Sequence, residues 1–188
     1  MKKAFSETLK VITILEQDQA FQQNIENAAK LMSSALKKGN KILWCGNGGS
    51  AADCQHLSAE LVAKLNHIRP ALASLSLTTD TSFLTAWIND TNNADELFSR
   101  QIEALGQEGD CLIAISTSGN SENIINAVDT AIKQDLVTIC LLGNKGGKLS
   151  DMADIDLIVP SDNTQRIQEV HMIIGHTLCA YIEEDFLS

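Results

Sequence analysis

Aromatic side chains make up only 4% of this 188-residue chain, and proline occurs twice. With so few rings the core must be aliphatic, built from the Ile, Leu, Val and Ala within a 44% hydrophobic content. Two prolines leave no proline-rich linker, and the length suits one domain. Basic charge is also short. The 14 Lys and Arg stand against 24 Asp and Glu, a formal net charge of −10. Such a chain repels phosphate backbones at long range, which argues against nucleic-acid binding over a broad surface. A small phosphorylated ligand stays open, because backbone N–H groups hold phosphate without net positive charge. No apolar stretch approaches the ~18 residues of a membrane span. The first residues, Met1-Lys2-Lys3-Ala4-Phe5-Ser6-Glu7, turn polar at once and lack the apolar core of a secretory signal. None of the five cysteines (45, 54, 111, 140 and 179) falls in a C-x-x-C pair. Buried, reduced thiols in a cytoplasmic protein are expected.

Apolar periodicity places the elements. Phe5, Leu9, Ile12 and Leu15 recur at helical spacing over 4–17. Ile25, Ala28, Leu31, Met32 and Leu36 do so over 21–37, where Lys38-Gly39-Asn40 reads as a glycine C-cap. An alternation follows: strand 41–45, helix 50–65, strand 72–77, helices near 80–88 and 94–105, strand 110–115, helix 121–134, strand 136–142, a short helix near 147–152, strand 155–159 and helix 164–185. Strand-like runs without polar alternation are buried on both faces. The fold class is therefore α/β, a layered domain with a mostly parallel sheet. The first helix has no strand of its own. It can cap the domain or pack on another copy, and we expect an oligomer.

Two loops end strands of this sheet, where ligands gather in such folds. Gly46-Asn47-Gly48-Gly49-Ser50-Ala51 fits G-x-G-x-x-A between a strand and a helix. Its glycines admit a ligand close to the backbone, and Ser50-Ala51-Ala52-Asp53 reads as a capping box. A plain strand-to-helix turn would look the same. A dinucleotide would need an acid after the second strand, and Asp80 lies roughly 30 residues on, where about 20 is usual. No Lys-Ser/Thr follows, so a nucleotide P-loop is excluded. Ser116-Thr117-Ser118-Gly119-Asn120-Ser121 puts four hydroxyls just before a helix, a compact phosphate cradle.

The reactive side chains lie on two helices. His56 and Glu60 are four apart, one turn along one face. They suit a shared metal, a substrate flanked on one side, or a plain ion pair. Gln168, Met172 and His176 form an i, i+4, i+8 row in which Gly175 clears space, which favours His176 over His171 for catalysis. Gln168 and His176 are ~12 Å apart along the axis, a strain on any shared ion. His67 reads as surface.

These segments together resemble the sugar isomerase (SIS) domain family, in its phosphoheptose isomerase branch. The resemblance runs end to end through CGNGGSAADCQHLSAEL at 45–61, Asn89-Asp90, ISTSGNS at 115–121 and RIQEVHMIIGH at 166–176. It implies a single SIS domain over 1–188 with an N-terminal helical extension over about 1–38. The implied fold is a three-layer doubly wound domain with a five-stranded parallel sheet. It implies a homotetramer with active sites near subunit contacts. The implied reaction turns D-sedoheptulose 7-phosphate into D-glycero-D-manno-heptose 7-phosphate through an enediol, opening the heptose pathway to the lipopolysaccharide core. Ser116, Thr117, Ser118 and Ser121 would bind phosphate. Asn47, Gly48, Gly49, Asn89 and Asp90 would line the sugar site, with Glu60 and Gln168 also touching substrate. Glu60 and His176 would be the acid–base pair. Zinc would be held by His56, Glu60, Gln168 and His176, with no nucleotide or redox cofactor. Gln165 stands where some members carry an aspartate, and it is left without a role. Relatives that bind the replication initiator DnaA without isomerising look like proteins that lack the Glu and the last His; this chain keeps Glu60 and His176. A sugar-phosphate sensing module is the third reading.

Overall fold

The computed structural model describes residues 2–187. Two helices, α1 (Lys2–Gln17) and α2 (Gln19–Lys37), come first. Asp18 caps α2 through the Phe21 N–H, and Gly39 follows its end at φ +85°, as the glycine C-cap requires. Five parallel strands follow: β1 (Ile42–Gly46), β2 (Ser74–Ser76), β3 (Cys111–Ser116), β4 (Val137–Gly143) and β5 (Ile155–Val159), in the order β2-β1-β3-β4-β5. The connecting helices are α3 (Gly49–Val62), α4 (Thr81–Thr91), α5 (Ser99–Leu105) and α6 (Glu122–Lys133), and α7 (Thr164–Asp185) closes the chain.

Alternate strand residues feed two cores. Ile42, Trp44, Cys111, Ile113 and Ile115 pack with α1, α2, α3 and α7 on one face. Leu43, Cys45, Leu112 and Ala114 pack with α5 and α6 on the other. The result is the three-layer α/β domain that unbroken apolar strands require. All five cysteines are buried and free. Burial pushes the Cys179 thiol up to about 12, so it behaves as a small hydrophobe. Among the described residues no helix is long and apolar enough to cross a membrane.

The chain departs from its sequence reading in several local places. Helix α3 stops at Val62 rather than 65, because Leu65–His67 fold back as a loop whose N–H groups bond to Glu183. The 94–105 segment is a 3₁₀ turn at Ala94–Glu96 followed by α5, and the 147–152 segment is a 3₁₀ turn at Gly147–Leu149. Ser50 does not cap α3. The helix begins at Gly49, its N-cap is Gly48 at φ +55°, and Ser50 is buried inside the first turn. Gly175 makes room for Leu57 rather than for His176: a Cβ there would overlap the Leu57 side chain. That contact lets α7 lie close against α3.

The strand order fixes where a ligand can sit. After β1 the chain steps outward to β2, then crosses to β3 on the other side of β1. The loops after β1 and β3 therefore diverge to opposite faces and open a crevice between them. They are the Gly46–Ser50 and Ser116–Ser121 loops.

Candidate active site

Gly46 pairs with Ile115, so the two loops leave the sheet at the same level. They are tied side by side. The Asn47 Nδ2 donates to Asn123 Oδ1 at 2.9 Å, and the Asn123 Nδ2 donates back to Asn47 Oδ1 at 2.9 Å. Asn123 lies in the first turn of α6 and escaped the sequence reading. Only the β1–β3 register reveals that its side chain faces the other loop.

The hydroxyl loop is rigid on one side and open on the other. Ser116 is buried, and its Oγ accepts from the Gly119 N–H at 3.1 Å. Ser118 Oγ accepts from the Asn120 N–H at 3.2 Å. The Thr117 and Ser121 hydroxyls have no partner among the described residues, and Ser121 is the N-cap of α6 without capping it through its side chain. The positive end of α6 is thus presented beside unused hydroxyls, an anion site by construction. Asp80 accepts from the Phe83 N–H as the N-cap of α4, so it is engaged as a cap rather than as a ribose ligand.

Helices α3 and α7 lie on the same face of the sheet and supply the reactive groups. His56 Nε2 and His176 Nε2 are 2.9 Å apart, and His56 Nε2 lies 3.3 Å from Glu60 Oε1. One ligand atom from each of the three residues falls within 4.8 Å of the others. The His56–Glu60 side chains are part-exposed, at 48% and 19%, so a small molecule can reach them. Two imidazole nitrogens and a carboxylate oxygen converging on one point are a donor set that suits zinc with one position open. Helix α3 brings two ligands to His176, while the separation of Gln168 from His176 along α7 remains. Gln168 sits two turns earlier. Its amide packs against the start of α3, where a Cβ on Gly49 would lie 2.5 Å from Gln168 Nε2. It thus touches the first loop. Beside the cluster, one carboxylate oxygen of Asp53 is buried without a partner. Burial pushes its carboxyl above the ordinary range, and the nearby His56 partly offsets this.

Three other residues stand apart. Asn89 Nδ2 donates to Asp90 Oδ1 at 2.9 Å, and both are exposed on α4, which buries none of its residues. Within one chain no hydrogen bond joins them to the loops. Gln165 is exposed near the start of α7, and its backbone N–H donates to the Asn163 cap.

His171 is fully buried, and its Nε2 donates to the Leu142 carbonyl at 3.0 Å. Burial pulls its pKa from 6.5 down to about 4, with the Leu142 bond opposing. The unfolded chain therefore binds the proton first. This stability is intact above about pH 6.5 and is lost as pH falls towards 4, by roughly 3 kcal/mol in all. Melting curves between pH 4 and 7 should show it, and His171→Gln should flatten that slope. An equal slope in the variant would assign the loss elsewhere.

The profile of the SIS domain family matches residues 6–143. The chain belongs to the SIS domain family. It falls in the phosphoheptose isomerase branch. The phosphoheptose isomerase of Sulfurimonas denitrificans is 48% identical, with 98% of this chain and 96% of that protein aligned. That of Aliarcobacter butzleri is 50% identical over 92% and 91%. The structure of the Neisseria gonorrhoeae phosphoheptose isomerase superposes with a TM-score of 0.89 at 43% identity, covering 96% of each chain. That from Francisella tularensis gives 0.91 at 39%.

Proposed function

We propose that this SIS domain chain is an aldose–ketose isomerase that converts D-sedoheptulose 7-phosphate to D-glycero-D-manno-heptose 7-phosphate, the first step of the heptose pathway to the lipopolysaccharide core. The convergence of Glu60, His56 and His176, on the helix that starts at the first glycine loop and the closing helix, carries the reading. The relatives named above support the substrate.

The reaction moves one proton between C1 and C2 and shifts protons between the two oxygens. It is redox-neutral within the sugar, so a nucleotide or redox cofactor has no task. Ser116, Thr117, Ser118, Ser121 and the start of α6 hold the phosphate. Asn47, Gly48 and Gly49 lie along the chain of the sugar. From Gly49 to His56 is about 10 Å along α3, an open-chain sugar's length. Glu60 takes the carbon-bound proton and returns it to the neighbouring carbon. His176 serves the oxygens from the other side, and groups so placed are each worth roughly 10²–10⁴-fold. His56, Glu60, Gln168 and His176 would hold zinc, which when bound polarises the substrate carbonyl.

The working form is a homotetramer in the cytoplasm, with Asn89 and Asp90 reaching the sugar site across a subunit contact. Exposed apolar side chains support an assembly: Phe5 is 79% and Leu9 65% exposed. An apolar cleft of about 300 Å³ runs between α1, α2 and α7, lined by Ile12, Leu15, Ile25 and Ile173. Light scattering should give four times the 20.4 kDa chain, and a monomer would contradict this.

A coupled assay with sedoheptulose 7-phosphate tests the function. Turnover is expected. Binding without turnover would favour a sensing module, and neither would favour a non-catalytic protein that binds the replication initiator DnaA.

A further inference from the structure

Beyond the acid–base cluster, a buried ion pair joins the far ends of the two helices that carry it. The Arg69 and Glu183 side chains are each 1% exposed, with Arg69 Nε 3.7 Å from Glu183 Oε1. Their remaining bonds all go to backbone. Arg69 Nη2 donates to the carbonyl of Glu60 at 2.8 Å, and Nη1 donates to the carbonyls of Leu61 at 2.7 Å and Pro70 at 3.0 Å. Those of Glu60 and Leu61 belong to the last turn of α3, whose carbonyls have no N–H donor within the helix. Arg69 thus caps α3 from outside, where a cation also suits the helix dipole. Glu183 accepts from the N–H groups of Leu65 at 2.9 Å, Asn66 at 2.7 Å and His67 at 3.0 Å, the loop that leaves α3.

The placement on α7 matters as much. Glu183 follows His176 by seven residues, two turns along the same face. One end of the pair therefore grips the peptide of Glu60. The other end is fixed to the helix face that presents His176. We infer that Arg69 and Glu183 are positioning residues that set the separation of the Glu60 carboxylate from the His176 imidazole, and through it the rate of proton transfer. This rests on the isomerase reading. A buried ion pair is a poor stabiliser compared with an apolar pair of the same shape, because both charges must be desolvated. Direction is what it supplies. The flat guanidinium reaches two successive carbonyls at once, in a fixed geometry that a lysine does not supply, while its Nε faces Glu183 across 3.7 Å without a hydrogen bond.

The test is Arg69→Lys and Glu183→Gln in the full chain, each assayed well below its melting temperature. A misplacement of about 1 Å at a reacting group costs on the order of 10²-fold, so kcat should fall 10- to 100-fold. The phosphate loop belongs to β3 and α6 and is untouched. KM for sedoheptulose 7-phosphate and inhibition by inorganic phosphate should therefore stay within about twofold, and kcat is expressed per folded molecule, counted by circular dichroism, because loss of folded protein lowers apparent kcat without moving KM. Folded variants with wild-type kcat would overturn the inference. So would kcat and KM deteriorating together. Failure of both conservative variants to fold would also overturn it, since the pair would then be a requirement of folding alone. An unmodified chain that does not turn over the sugar would sink the isomerase reading itself, and the positioning role with it.

Discussion

Replacing Glu60 by Gln should lower turnover of sedoheptulose 7-phosphate by roughly 10²-fold or more while leaving competition by inorganic phosphate unchanged. The amide keeps the shape and the hydrogen-bonding reach of the carboxylate but accepts no proton at neutral pH. Glu60 is the one carboxylate within reach of the His56–His176 pair in the described cluster. The phosphate loop lies on a different strand and helix, so the loss should be in kcat rather than in KM. Turnover close to that of the unmodified chain would remove Glu60 from the chemistry. Because Glu60 is also proposed to hold zinc, metal content of the variant should be measured beside its rate. Full metal occupancy with a collapsed rate assigns the loss to proton transfer.

The second large effect is expected at Gly119, in the middle of the hydroxyl loop. Its φ is +62°, and a Cβ there would overlap the Gly146 carbonyl oxygen. The clash is with backbone, which cannot swing aside as a side-chain end could. The residue is also held on both sides: its N–H donates to Ser116 Oγ at 3.1 Å, and its carbonyl accepts from the Leu149 N–H at 3.0 Å. Gly119→Ala should therefore cost about 1 kcal/mol for the left-handed backbone and about 1–3 kcal/mol for overpacking. The loop can relieve the overlap only by moving away from Gly146, which displaces Ser116, Thr117 and Ser118 from the start of α6. Losing one charge-assisted bond to phosphate should raise KM about tenfold or more. Denaturant unfolding and KM together check this. A variant with unchanged stability and KM would show that the loop tolerates a different path.

Much of this was legible in the residues because burial on both faces leaves no polar alternation. The runs 41–45, 110–115 and 136–142 read as strands buried on both faces for that reason, and the strands stand one residue later, at 42–46, 111–116 and 137–143. The loops were legible because glycine and hydroxyl density there exceeds what a turn needs. The strand order was not. Alternating elements are compatible with several sheets, and only the register of β1 between β2 and β3 puts both loops at one crevice. Long-range pairs were equally hidden. Asn123 looks like an ordinary polar residue of a helix start, and Arg69 and Glu183 are 114 positions apart with no local pattern to join them. Ser50 misled because a capping box is a local signal, whereas the glycine pair before it allows α3 to start one residue sooner. The His56, Glu60 and His176 assembly falls between these extremes. The i, i+4 pair was visible on its own helix, and its meeting with His176 depended on Gly175 letting α7 approach Leu57.

A crystal structure of the chain with sedoheptulose 7-phosphate bound tests the central claim most directly. The phosphate should lie against Ser116–Ser121 and the start of α6, with C1 and C2 within hydrogen-bonding reach of Glu60 and His176. Phosphate bound elsewhere, or a sugar whose C1–C2 end points away from both groups in every subunit, would contradict it.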